Sequence, residues 1–131
     1  MPRRYPPEVY WSQKRKLASL AEKFRLRVAG IIIALEGKDF DPHVVYGWRS
    51  PGTQRRLVVE GFSRTMNSKH CVGQEGEALA VDLIDRNLGW SPKADPFFKM
   101  LGKLARSEGL TWGGDWDTFK DESHIEWKES T

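Results

Sequence analysis

The residues of this chain best suited to chemistry are two histidines and an acid in an unlikely place. His70 stands in NSKHC and His124 in DESHIEW, while Asp82 interrupts the apolar run ALAVDLI from Ala78 to Ile84. A carboxylate set among Ala, Leu, Val and Ile is costly to bury without a partner. Two kinds of partner are open to it: a salt bridge to one of the many Arg and Lys residues, or a metal ion. Neutral imidazole and carboxylate are ligands for Zn2+, and three protein ligands plus a water make a catalytic site rather than a closed structural one. His70, Asp82 and His124 fill those three positions. Taken one at a time, a histidine is more often structural or solvated than a ligand. The third, His43, has only Asp41 as acidic company and is read as a non-ligand.

Asp121 precedes His124 by three residues, a spacing that brings both side chains to one side of a helical turn. A carboxylate there can take a proton from a metal-activated water and deliver it to a leaving amine. Glu122 competes for that role on residue type alone. Glu126 lies two residues beyond His124 and shares its face if the segment is extended, where it can orient the imidazole as an acceptor. Cys71 beside His70 raises a different enzyme class, the Cys/His nucleophiles. Adjacent side chains of an extended segment point to opposite sides, which argues against that pairing.

Positioning these groups falls to a mixture of helices and strands. Apolar residues at Leu17, Leu20, Ala21, Phe24, Val28, Ile31, Ile32 and Leu35 recur in steps of three and four, predicting one basic amphipathic helix over about 11–36 that Gly37 ends. The segment His43 to Arg49 reads as a short strand with Arg49 at its end. Ser50 and Pro51 then fit an N-cap and first helical position, with Gln54, Leu57 and Val58 in a helix that Gly61 closes. Asp95 and Pro96 open another helix carrying Phe97, Met100, Leu101, Leu104 and Ala105, ended by Gly109. Ala78 to Ile84, Leu110 to Gly114 and His124 to Trp127 read as strands. Without a regular βαβ repeat, the expectation is an α+β domain, a small antiparallel sheet backed by helices.

SKH, ALAVDLID and DESHIEW, in that order, resemble the motifs of the M15 zinc peptidases, the D-alanyl-D-alanine carboxypeptidase and L-alanyl-D-glutamate endopeptidase family. The resemblance runs roughly from Phe40 to Trp127. It implies a D-Ala-D-Ala carboxypeptidase/hedgehog-like fold, a Zn2+ held by His70, Asp82 and His124, and Asp121 as proton carrier. VYGWRSPGTQ resembles the family's arginine-bearing segment, which assigns Arg49 to the substrate's scissile region, with a structural ion pair as its other reading. Ser68, Glu126 and Gln54 follow as supporting or substrate-binding residues. His70 and Asp82 are twelve residues apart, longer than the family's common spacing, with CVGQEGE in the extra room. Glu75 or Glu77 is the alternative acid for the metal.

The implied activity is cleavage of the peptide stem of peptidoglycan, as a cell-wall lytic, phage endolysin-like enzyme. An L-Ala-D-Glu endopeptidase is favoured, with a D-Ala-D-Ala carboxypeptidase as alternative. A non-catalytic zinc-binding or polyanion-binding module is the competing class.

At 131 residues and 39% hydrophobic content, one domain over 1–131 is expected, with no separate wall-binding domain. One cysteine excludes an intramolecular disulfide. Residues 1–28 hold eight Lys or Arg against Glu8 and Glu22, although the net charge is only +3, so the remainder is acidic. Such a basic helix offers a contact for anionic wall or outer-membrane components; no nucleic-acid motif accompanies it, and a monomer is expected. No apolar segment follows the basic start MPRRYPPEVYW, so neither a signal peptide nor a transmembrane segment is expected. If phage-encoded, the chain is expected in the host cytoplasm first and then at the cell wall or periplasm.

Overall fold

A computed structural model describes residues 6–129; Pro2, Arg3 and Arg4 of the basic lead-in lie outside them. The helix expected over about 11–36 is two helices, α1 (Gln13–Ala18) and α2 (Glu22–Glu36). Ser12 caps α1 by accepting from the Arg15 N–H. The break falls where the backbone pairs sideways: Leu20 bridges Ala78 in parallel, the Ala21 N–H donates to the Ala78 carbonyl at 2.9 Å, and the Ser19 carbonyl accepts from Gly76 and Ala78. Leu20 stays buried with Phe24, Val28, Ile31 and Leu35, so the apolar period runs unbroken through a broken helix.

Four strands follow: β1 (Pro42–Tyr46), β2 (Ala80–Asp85), β3 (Thr111–Trp112) and β4 (His124–Glu126). They form one antiparallel sheet in the order β1-β2-β4-β3, backed by α2 and by α4 (Asp95–Ser107), the α+β arrangement expected. Val44, Val81, Leu83 and Ile125 enter the core with Phe24, Val28, Phe97 and Leu101. Because side chains alternate along a strand, Asp82, His124 and Glu126 stand on the opposite face. Asp82 and His124 are direct cross-strand partners. An irregularity between Val44 and Tyr46 places Tyr46 opposite Asp82, a bulge that re-aims one side chain toward the site.

The strand expected to run to Arg49 ends at Tyr46. At Gly47 the chain turns so close to the end of α1 that a Cβ would collide with the Ser19 hydroxyl and the Lys16 carbonyl. Arg49 therefore lies in the turn that leads to α3 (Pro51–Val59), not at a strand end. Ser50 caps α3 by accepting from the Thr53 N–H, and Gly61, at φ 82°, follows its end. Buried Glu8 adds a second cap, accepting from the Ser50 N–H at 2.9 Å and the Thr53 hydroxyl at 2.6 Å. An anionic group there also suits the helix dipole.

The basic face is smaller than its composition suggests. Lys16 is buried and donates to the Val44 carbonyl, Arg15 is tied to Glu75, and Lys23 and Arg27 lie over the Trp127 ring. Among the described residues no helix is long and apolar enough to cross a membrane.

Phe97 is fully buried, edge-on to Phe40 at 5.4 Å and to Phe98 at 5.5 Å. Phe97→Ala is expected to destabilise the fold by about 3–5 kcal/mol, read as a lower urea midpoint with an unchanged m-value.

Candidate metal centre and cleft

His70 comes from a short 3-10 turn, Lys69–Cys71, that meets the face of the sheet carrying Asp82 and His124. Its Nε2 lies 3.3 Å from Asp82 Oδ1 and 3.3 Å from His124 Nδ1, and His124 Nδ1 lies 3.1 Å from Asp82 Oδ1. A tetrahedron with bonds of about 2.1 Å has edges of about 3.4 Å. The three atoms thus form a triangle of the size of one tetrahedral face, with two imidazole nitrogens and a carboxylate oxygen as donors. All three residues are buried.

The far nitrogen of each ring has its own acceptor. His70 Nδ1–H donates to the Gly47 carbonyl at 2.8 Å, and His124 Nε2–H donates to Glu126 Oε1 at 2.8 Å. Those tautomers leave the inward nitrogens with lone pairs for a metal. Glu126 is held in turn by Lys69, whose Nζ lies 3.1 Å from Oε2 and donates to the Trp127 carbonyl. Ser68 accepts from the His70 N–H and caps the turn.

Asp82 has the salt-bridge partner its sequence context left open, and its Oδ1 faces the two imidazoles. Its second oxygen, Oδ2, accepts from Arg49 Nη2 at 2.6 Å. Arg49 also donates from Nη1 to Gln54 Oε1, lies 4.4 Å above the Tyr46 ring, and gives its backbone N–H to the His70 carbonyl. Its buried Nε has no hydrogen-bond partner among the described residues. Gln54 is fully buried, with its amide on Ser63 and the Thr65 carbonyl. Of the two roles expected for it, the structure shows the supporting one: it holds Arg49 and the loop behind it.

Burial opposes ionisation of Asp82, yet the facing His70, Arg49 and His124 hold its carboxyl well below the usual range. Burial, with the Arg49 cation, pushes His70 down to about 4, which keeps it neutral as a ligand must be. Burial works against charge on His124 too, but hydrogen bonds to Asp82 and Glu126 lift it to about 9. A proton on His124 therefore has to leave when a metal binds.

Asp121 stands beside this centre in a β-turn, with the His124 N–H donating to its carbonyl, rather than in the helical turn its spacing suggested. The Asp121 N–H donates to the Gly113 carbonyl, and a Cβ on Gly113 would strike the Asp121 backbone, so WGG fixes the turn from beneath. Ser123 donates its hydroxyl to Asp121 Oδ1 at 3.0 Å. Burial, then the charge of Asp82, raises the Asp121 carboxyl. Glu122 is exposed. A cavity of about 460 Å3 joins Arg49, Ser68, His70, Asp121, His124 and Glu126.

The alternatives fall away on geometry. Cys71 lies against Gln54 and the Ser50 carbonyl, and burial pushes its thiol up, the reverse of an activated nucleophile. Glu75 pairs with Arg15, and Glu77 accepts from the Gln74 N–H. The long His70–Asp82 interval thus docks on α1, helped by Trp48 Nε1 donating to the Gly73 carbonyl. His43 meets Gln13 instead of the metal ligands. Sequence reasoning missed Gly47, Tyr46, Lys69 and Trp116, whose ring is 5.0 Å from that of His124. Only Lys69, next to His70, carried a positional signal.

Residues 62–127 match the model of the D-alanyl-D-alanine carboxypeptidase family of M15 peptidases, a span that holds His70, Asp82, Asp121 and His124 but not Arg49. The chain is 35% identical over 82 residues to the L-alanyl-D-glutamate peptidase of Listeria phage A118, covering 60% of this chain and 27% of that protein. It thus spans about a quarter of that relative's length. The Serratia marcescens L-Ala D-Glu endopeptidase ChiX superposes with a TM-score of 0.66 at 26% identity, over 88% of this chain and 86% of that one. VanYB, solved in complex with D-Alanine-D-Alanine, shares the fold at TM-score 0.57 and 13% identity, over 82% and 71% of the two chains.

Glu126→Gln keeps the shape of the His124 acceptor but removes its charge. Zinc affinity, measured by competition with a chromogenic chelator, is expected to fall about 10–100-fold; an unchanged affinity would remove Glu126 from the centre.

Proposed function

The chain belongs to the M15 D-alanyl-D-alanine carboxypeptidase family, and from that premise we propose that it is a zinc peptidase cutting the peptidoglycan stem peptide between L-alanine and D-glutamate. The observation that carries the chemistry is the ligand triangle of His70, Asp82 and His124, with Asp121 beside it. The choice of bond is supported by the phage and Serratia relatives, both named for L-Ala-D-Glu cleavage. In a phage setting the enzyme acts at the wall after leaving the host cytoplasm.

Zinc held by the three ligands supplies Lewis acidity and lowers the pKa of a water to about 7. The residues around it do the rest. Ser123 occupies Asp121 Oδ1, which leaves Oδ2 to receive a proton and hand it to the leaving amine. Arg49 keeps Asp82 ionised and aimed, and its positive charge, at the border of the cleft, favours negative charge growing on the scissile carbonyl oxygen. Trp116 packs at a tilt against the His124 ring.

Asp121 works as a base only when ionised, and its pKa is raised, so the rate is expected to climb as pH rises through that raised value. Asp121→Asn is expected to keep one zinc per chain, lose about 10²–10⁴-fold in kcat and flatten the acid limb. Mass spectrometry of digested peptidoglycan, with and without chelator, tests the whole reading. New L-alanine carboxyl ends and D-glutamate amino ends that vanish with chelator are expected. Released D-alanine would reassign the bond, and chelator-insensitive cleavage would contradict the metal mechanism.

A further inference from the structure

The cleft continues past the metal. Arg49, Phe62, Phe119 and Asp121 line both the metal cavity and a second one of about 450 Å3. Tyr46, Leu57, Phe62 and Trp90 carry the second into a third, of about 500 Å3, that reaches Lys16 and His43. The three make one trough, with the reacting centre near one end. Hydrolysis of a single amide needs only the first.

The trough is walled by aromatic rings that the fold does not cover. Trp90 and Phe62 are each 64% exposed, and Phe119 is 43% exposed. Scattered exposed apolar residues need no explanation, but several along one groove that opens from a reaction centre mark a binding surface. At the far end are polar groups: Lys16 Nζ, with one N–H on the Val44 carbonyl, and the His43 imidazole. Apolar faces edged by polar groups suit a pyranose, whose C–H faces stack on aromatic rings while its hydroxyl and acetamido groups hydrogen-bond at the edge.

The chemistry of the stem gives the direction. Its carboxylates begin at D-glutamate, whereas the L-alanine end is joined to a neutral amino sugar. Arg64 and Lys69 line the metal cavity and Lys120 the adjoining one, whereas at the far end Arg56 is paired with Glu60 and Lys16 is buried on the Val44 carbonyl. Resting on the peptidase reading above, we propose that the trough walled by Tyr46, Phe62 and Trp90 binds the amino sugar attached to the L-alanine end of the stem peptide.

The test compares N-acetylmuramyl-tetrapeptide with the same tetrapeptide acetylated at L-alanine, using the zinc-loaded enzyme. The wild type is expected to prefer the sugar-bearing substrate by about five- to tenfold in kcat/KM, the size of one aromatic stacking contact. Trp90→Ala is expected to erase that preference through KM, with the sugar-free rate and zinc content unchanged, and Trp90→Phe to restore most of it. Equal rates on both substrates in the wild type, or an equal loss on both in Trp90→Ala, would overturn the sugar subsite while leaving the peptidase standing. Cleavage of neither substrate by the wild type would overturn the peptidase reading and the subsite with it.

Discussion

Asp82 is 5% exposed, and its carboxylate has to be compensated at both oxygens within a sheet whose other face is the hydrophobic core. An isolated charge in that position would cost several kcal/mol. Arg49 takes Oδ2, and the two imidazoles face Oδ1. Each partner is delivered by a different part of the chain, so neutralising one side chain organises much of the fold. His124 arrives by strand register, Arg49 by the turn at Gly47, and His70 by a 3-10 turn whose ring and carbonyl are both bonded to residues 47–49.

That turn transmits the packing of α1 to the metal centre. Gly47 fits against Ser19 and Lys16 only without a side chain, and its carbonyl fixes the His70 ring. Glu8 holds Ser50, the residue after Arg49, from the other side. The longer segment between His70 and Asp82 lies over the same region, with Glu75 on Arg15 and Gly73 on Trp48. Its extra residues brace the His70 turn from outside and add no donor to the metal centre. On the far side, Lys69 and Glu126 form a relay that ends on His124.

Much of this was legible in the residues themselves. Asp82 in an apolar strand announced a buried charge, and the strand periodicity put His124 and Glu126 on one face, where the structure has them hydrogen-bonded. The capped start of α3 followed from Ser50 and Pro51. What stayed hidden was whatever depends on contacts distant in sequence. The break between α1 and α2 comes from a pairing with Ala78 that leaves the apolar period intact. The true end of β1 depends on Gly47 meeting α1, and the aim of Tyr46 depends on a bulge. For Arg49 the sequence allows either a substrate contact or an ion pair. The structure gives it the ion pair with Asp82 and places it among the residues lining the cleft.

A single zinc bound by two imidazoles and one carboxylate is the centre on which the proposed chemistry depends. X-ray absorption at the zinc K-edge on the metal-loaded protein tests that most directly. The prediction is one zinc per chain with about four nitrogen or oxygen neighbours near 2.0–2.1 Å, two of them imidazole, and no sulfur. A zinc–sulfur shell near 2.3 Å, which would bring in Cys71, or full zinc binding retained by His70→Ala or His124→Ala, would contradict it.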